Sequence, residues 1–533
     1  MAHKQKPTQP NLRDPAHSGS FNAWLLGSSI ASLASAIHLI RDSNVPAACI
    51  HLVESRRDSG ADLAVVGDPK SGYDHRAACM PILSDTCIKE IFTSVPSTTD
   101  SGKTVMDNIE KAKKGQAPTC LFIQGGHDLE MIDNSKFSVG LKVRAQLVVF
   151  MMKPEKSLSR REIKHFFEKR FFDSKFWAIW SSIFSFCPWH SALEFRRCLR
   201  RYFRQFQSLN TFAMLDRCRY CPYEDIIGPL TRFLQNQGVD FRFNSKVTDM
   251  TVDSGQDNGA VSGFKFIQNG SESIVSVSPR DIIIMSPGSV MSGSTGGTNS
   301  IPPSLELLDV EDKLDENWSL WLGVSPNLGD PYNFCTRISE SRLESFTITI
   351  KDIGFSSLLQ VLTHSKGSSS SLVSLRHSNW FLCLYIPHQP FFPHQPNDVQ
   401  VLWGYGSFPE REGNFVRKPM LRCSGREIMI ELLQHLDVPL EHPILNNSIT
   451  IPRLMPRLTA PLLSRNYSDR PGIISESMAN LAVVGQFVEM PDESCATMDY
   501  SVRGAQAAVY HLMGLQKEPR KSEQSSIPNI LGF

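Results

Sequence analysis

The chain has 533 residues, 41% hydrophobic and 20% charged, enough to bury one large core or two to three of domain size. Its 55 Lys and Arg against 54 Asp and Glu leave a formal charge of +1, which excludes a protein drawn by its overall field to nucleic acid or an anionic membrane. The twelve cysteines are scattered and lack clustered histidine companions, so no metal is expected, and reduced thiols in a cytoplasmic protein fit them better than disulfides.

Residues 1–20 are polar, carry Pro and Ser, and read as a disordered tail, as do 516–533. The stretch 21–40 is the most hydrophobic of the chain, but Gly27, several serines and His38 interrupt it. Its pattern is strand, turn and helix rather than a membrane span or leader peptide. A phosphate-binding turn between strand and helix needs glycine where the chain leaves the strand, glycine where backbone approaches a pyrophosphate, and a small residue where helix packs on sheet. Those places hold Gly27, Ser29 and Ser32, so one glycine is kept and two are serines. Taken alone, this is equally an ordinary strand and helix.

The next strand, ACIHLVES, ends at Glu54, 27 residues beyond Gly27, where a carboxylate would accept the ribose hydroxyls of an adenosine. Serine-rich runs at 292–300 and 367–374 read as loops. Near the other end, NLAVVGQFVE is a buried strand closing on Gly485, followed by the small-residue helix SVRGAQAAVYHLMGL. First strand, acid-tipped second strand and late glycine-tipped strand together suit a flavin domain assembled from distant pieces.

Several longer blocks then carry a resemblance to the oleate hydratases, the flavoproteins once called myosin-cross-reactive antigens, from residue 22 to about 515. They are GDPKSGYDHR at 67–76, FFDSKFWAIWSSIFSFCPWHSALEFRR at 171–197, YCPYEDIIGPLTRFL at 220–234, VLWGYGSFPEREGNFVRKPM at 401–420, and NLAVVGQFVEMPDE with DYSVRGAQAAVYHL near the end. The resemblance implies an α/β fold: a discontinuous glutathione-reductase-type FAD-binding domain with a large inserted α+β substrate region. The expected flavin parts are 21–115, 220–300 and 451–515. A helical insertion at 116–219 and a substrate-binding region at 301–450 complete the chain. It also implies FAD as cofactor, held by Gly27, Ser28, Ser29, Ser32, Glu54, Val247, Gly288 and Gly485. The implied ligand is an unsaturated fatty acid or lipid-like small molecule, with at most peripheral membrane contact and no nucleic acid, and a homodimer is the implied assembly.

In that family water adds across a cis double bond without net redox change of the flavin. A tyrosine protonates the alkene and a glutamate in an Arg-Gly-Gly-Arg-Glu-Met loop handles the water. Tyr220 stands at the tyrosine's position, with Tyr223 its companion on the substrate side. The loop departs from the pattern. Tyr73 and Arg76 before it and Cys87 to Phe92 after it fix the register, so RAACMP occupies the loop and Met80 stands at the glutamate's position; a shift of one would put Cys79 there. A thioether takes no proton, and a thiol does so only when strongly activated. The two loop glycines are Ala77 and Ala78.

The family's carboxylate anchor, Thr-x-Asn-Arg-Gln-Pro-His after an Asn-Trp pair, is altered too. Here the matching residues are Tyr385, Pro387, His388, Gln389, Pro390 and Phe391, which exchange donors for aromatic surface and leave Tyr385, His388 and Gln389 as candidate substrate contacts. The expected activity is therefore that of a carbon-oxygen lyase, fatty-acid hydratase-like, or a double-bond isomerase working through Tyr220. A non-catalytic flavin- or lipid-binding remnant and a flavin-dependent oxidoreductase are the alternatives.

Overall fold

A computed structural model describes residues 21–60, 66–76, 86–98, 100–113, 119–125, 128–132, 140–206, 222–253, 259–306, 314, 316–324, 328–351, 370–392 and 394–522. The expected tail at 1–20 and the end of the second tail, 523–533, lie outside the described residues. In chain order the strands are β1 Ala23–Leu26, β2 Ile50–Val53, β3 Val66–Asp68, β4 Gly72–Asp74, β5 Cys120–Gly125, β6 Asp128–Met131, β7 Asp240–Arg242, β8 Ser245–Asp253, β9 Ala260–Gln268, β10 Ser271–Ser276, β11 Ile282–Met285, β12 Thr295–Gly296, β13 Leu343–Ile350, β14 Ser371–Leu375, β15 Leu382–Ile386, β16 Gln400–Gly406, β17 Ser448–Met455 and β18 Leu481–Val483.

A five-stranded parallel sheet has the order β18-β11-β1-β2-β7. Its strands AWLL, IIIM and LAV are buried throughout, as unbroken apolar runs should be when both faces are covered. Alternate residues explain the two covers. Ala23, Leu25, Ile50, Leu52, Ile282 and Ile284 face the core shared with the helix α1 (Ile30–Ser43) and the helix Met498–Leu512. Trp24, Leu26, Val53, Ile283 and Met285 face the other way, toward Val247, Met250, Val261 and Phe264 of the antiparallel sheet β10-β9-β8. Strands from residues 23–53, 240–285 and 481–483 thus build one discontinuous α/β domain, the class expected from the sequence.

The second large sheet has the order β12-β17-β13-β16-β15-β14-β5-β6. Phe346, Ile348, Ile350, Leu382, Leu384 and Leu402 form its outer face against the helix Gly425–His435. The inner face carries Leu372, Cys383, Tyr385, Trp403 and Tyr405, which join the core containing the aromatic helix Lys175–Phe184. Strands β5 and β6 lie within the stretch 116–219 that reads as a helical insertion. The pairing of β5 with β14, some 250 residues away, and of β6 with β5, and not a local helix pattern, places them at the sheet's edge.

The helix Lys175–Phe184 is buried along its whole length. Ser174 caps it by accepting the Trp177 N–H at 3.1 Å, and Ser182 Oγ donates to Ser374 Oγ at 2.9 Å, fixing it on β14. A charged seam joins the following helix, Ala192–Phe206, to the chain's last quarter. Arg197 bridges Glu155 and Glu489 at 2.7 and 2.6 Å, and Arg465 bridges Glu194 and Glu489 at 2.8 and 2.5 Å. Arg470 lies 3.3 Å from Glu194. Six charges, three of each sign, are thereby paired in the interior. Among the described residues no helix is long and apolar enough to cross a membrane, and no group of three or more His, Cys, Asp or Glu is placed to hold a metal ion.

Candidate functional site

Strands β1, β11 and β18 lie side by side, and each runs at its C-terminal end into a glycine of positive φ: Gly27 at 96°, Gly288 at 68° and Gly485 at 108°. Side chains are strained in that conformation, so glycine is what lets three neighbouring strands turn away from one crevice. A Cβ on Gly485 would come 3.3 Å from Ser286 Oγ, and one on Gly288 would come 3.0 Å from the Phe487 ring. The crevice beyond the carboxyl ends of parallel strands is where open α/β sheets bind nucleotides.

The N-terminus of α1 opens onto the same place. Ser29 is its N-cap, with a hydroxyl 3.4 Å from the Ser32 N–H and 2.8 Å from Ser286 Oγ. The first turn of α1 carries no acidic residue, and Ala31, Ser32, Ala34 and Ser35 let it lie close on the sheet. A 14-residue helix presents free N–H groups and a positive dipole end to an anion there. The turn, the small residues and the helix end fit the pyrophosphate of a dinucleotide such as FAD.

Glu54 stands at the tip of β2, beside this turn, and all its acceptor capacity is in use. Oε2 accepts the Ser28 N–H at 2.9 Å and the Ser28 hydroxyl at 2.5 Å; Oε1 accepts the Ser55 hydroxyl at 3.1 Å and the Arg56 N–H at 3.0 Å. A ribose would have to take the places of the two serine hydroxyls, while the two N–H bonds would hold the carboxylate where it is. Val247 is buried in β8, two residues after Ser245, whose N–H donates to the Glu54 carbonyl at 2.9 Å.

One substrate-side candidate, Tyr223, lies near β4. Tyr73 N–H donates to Thr349 Oγ1 at 2.8 Å and His75 N–H to Thr347 Oγ1 at 2.9 Å, so two hydroxyls on the inner face of β13 clip this short strand to the sheet. Asp74 pairs with Nε and Nη2 of Arg453, whose remaining nitrogen, Nη1, donates to Ser294 Oγ at 3.2 Å. Tyr223 lies on a π-helical turn, Pro222–Ile227, and packs against the cluster of Tyr73, Phe391, Phe392, Val399 and Val401. Its hydroxyl donates to Asp58, four residues beyond Glu54; burial first, and then Asp58, raise its pKa well above the ordinary phenol range. Four segments distant in sequence, around residues 58, 73, 223 and 391, therefore meet at one place.

The anchor candidates have other partners. Tyr385 is fully buried and stacked on Trp403 at 4.2 Å and 6°. Gln389 holds its own loop: Nε2 donates to the carbonyls of Pro387 and Val401, and Oε1 accepts from Val401 N–H and Gln395. His388 is half-buried on that loop. Cys79, Met80 and Tyr220 lie outside the described residues.

One residue had no part in the sequence reading beyond its place in a quoted motif. His75 is 2% exposed, with its ring at 5.4 Å from Phe391, 6.2 Å from Phe392 and 5.4 Å from Trp403. Neither of its ring nitrogens has a hydrogen-bond partner. Burial pushes its pKa down to about 4, with Asp74 pulling the other way.

The model of a family described as the MCRA family matches residues 20–510. Over 521 residues the chain is 29% identical to an oleate hydratase of Streptococcus pyogenes, spanning 94% of this chain and 86% of that protein. Over 552 residues it is 28% identical to a linoleate hydratase of Lactiplantibacillus plantarum, spanning 93% and 95%. Among solved structures, an oxidoreductase from Methanosarcina mazei aligns with TM-score 0.49 at 10% identity, over 91% of this chain and 99% of that one. A flavoprotein/dehydrogenase from Cytophaga hutchinsonii aligns with TM-score 0.38 at 12% identity, over 93% and 80%.

Proposed function

The chain belongs to the MCRA family, and from that premise we propose that it binds FAD and adds water across a carbon-carbon double bond of an unsaturated fatty acid or lipid-like polyene. The observation that carries the cofactor half is the meeting of three positive-φ strand ends, Gly27, Gly288 and Gly485, at the N-terminus of α1. The substrate half rests on the family and on its hydratase relatives.

In this reading Ser28, Ser29 and Ser32 surround the pyrophosphate, Glu54 meets the ribose, and Val247 borders the adenosine end. The flavin, when bound, would order the site with no net redox change. Tyr220 delivers a proton to one alkene carbon, and a water molecule bonds to the other. A positioned acid of this kind is worth about 10²–10⁴ in rate. Tyr223, engaged with Asp58, supports the same segment rather than supplying the proton. Met80, at the glutamate's position, favours a second outcome: when the protonated chain loses a different proton, the product is a shifted double bond instead of a hydroxy acid.

The test is incubation of the full chain, supplied with FAD, with oleate, linoleate and their methyl esters in heavy-oxygen water. The expected result is flavin absorbance that stays with the protein, together with a product heavier by labelled water. Absence of flavin uptake, with no rise in melting temperature on adding FAD, would overturn the cofactor assignment. A product of unchanged mass with a moved double bond would replace hydration by isomerisation.

A further inference from the structure

We infer that His75 is the proton acceptor for the attacking water, the role for which Met80 carries no base; this rests on the proposed hydratase reading. Among the described residues His75 is the only histidine with both ring nitrogens buried and unpartnered. A neutral imidazole has one donor and one acceptor, and leaving each buried without a partner costs about 1–3 kcal/mol. The His75 backbone is fixed by Thr347, and the neighbouring Asp74 is turned to Arg453, so the ring is held without being used.

The surroundings show what it is held for. Phe391, Phe392 and Trp403 enclose the imidazole, and the indole Nε1 of Trp403 is also buried and unpartnered. Ser345 Oγ, the next hydroxyl on the same face of β13 after Thr347, is a third unpartnered group. An imidazole, an indole N–H and a hydroxyl, all buried and unpartnered beside aromatic rings, are complementary to an apolar chain accompanied by one small polar molecule. Such groups are satisfied when that molecule is water. The segment is also the one that leads into the family's catalytic loop: His75 precedes Met80 by five residues. Through the contact of Tyr73 with Phe392, and the packing of Tyr223 on the cluster that contains both, it adjoins the tyrosine motif.

The step balances as follows. Tyr220 gives its phenolic proton to one alkene carbon, forming a C–H bond. The water oxygen forms a C–O bond with the other carbon as one of its O–H bonds breaks, and that proton goes to a ring nitrogen of His75. Return of the proton from the imidazolium to the phenolate through solvent restores both residues, for net addition of one water. Burial keeps the imidazole neutral, hence able to accept, across the physiological range, with a proton affinity close to that of the carboxylate it replaces.

The experiment compares parent, His75→Asn and His75→Phe as full chains loaded with FAD. Turnover of the best substrate among oleate, linoleate and their methyl esters should fall about 100-fold or more in both variants. His75→Phe, which removes the unpartnered nitrogens while filling the ring's space, should melt no lower than the parent, a result that a structural histidine would not give. Ring-nitrogen NMR of histidine-labelled parent, with the His75 signals identified by their absence from His75→Asn, should show them moving when linoleate or its methyl ester is added. A parent that hydrates while His75→Asn keeps its rate within threefold overturns this inference and leaves the hydratase reading intact. A parent that hydrates nothing overturns that reading, and in that case unmoved His75 signals overturn the inference as well.

Discussion

Glu194→Gln should destabilise the whole chain, because it removes one of three acids from the buried seam and leaves Arg197, Arg465 and Arg470 facing two. Glu194 is 1% exposed and Arg465 and Arg470 are fully buried. Breaking a buried pair by removing one partner costs about 3–5 kcal/mol. The acidity of the group gives a second route to the magnitude: burial works to raise the Glu194 pKa, but Arg470, Arg465 and Arg197 overcome it and hold the carboxyl at about 2. Against an unfolded value of about 4.3, that depression corresponds to about 3 kcal/mol. The sign follows from the depression: this stability is fully present above the unfolded pKa and is lost as pH falls from about 4 toward about 2. For a chain of this length, unfolding as one unit with about 2.1 cal/mol/K per residue, 3 kcal/mol is a fall in melting temperature of about 3 °C. Calorimetry of parent and variant at neutral pH and at successively lower pH measures it. A variant melting within about 1 °C of the parent at neutral pH, or a difference unchanged by acid, would refute the reasoning.

Three further outcomes are expected at the site. Ser29→Gly should lose the Ser286 bond and a few tenths of a kcal/mol of capping, yet show a larger rise in melting temperature with FAD than the parent, since a Cβ leaves the turn proposed for the pyrophosphate; an equal or smaller rise would show that the hydroxyl is not an obstruction. Tyr220→Phe should lower turnover by about 100-fold or more with flavin absorbance unchanged, and an intact rate would remove Tyr220 from the acid's role. Met80→Glu should increase heavy-oxygen incorporation and restore it in a His75→Asn background; unaltered products from an active protein would show that no base is missing there.

The strand, turn and helix at 23–43 were legible because local periodicity specifies them: AWLL is an unbroken apolar run, and Ser29 is a residue type that caps helices. The late strand ending at Gly485 was legible for the same reason. The saturation of Glu54 was not, because it depends on how the Ser28 hydroxyl is turned after the chain has folded back by 26 residues. The place of Tyr385 follows from alternation in LCLYI, which fixes its face, but its stacking partner Trp403 comes from the next strand, and no pattern within either strand names the other. His75 was hidden most completely. Its burial depends on hydroxyls of β13 some 270 residues later and on aromatic rings beyond residue 390, so its chemistry arises only from long-range pairing.

The discontinuity of the parallel sheet also sets the order in which this protein can come into being. The apolar face of α1 is synthesised well before the helix it packs against, Met498–Leu512, which follows some 470 residues later. At about 5–20 residues per second, that delay is roughly half a minute to a minute and a half. Through that interval the sheet lacks β18, and a helix lined with Ala31, Leu33, Ala34 and Ile37 has no permanent neighbour on that side. The crevice at the ends of β1, β11 and β18 is therefore closed only once β18 and the helix Met498–Leu512 have both been made.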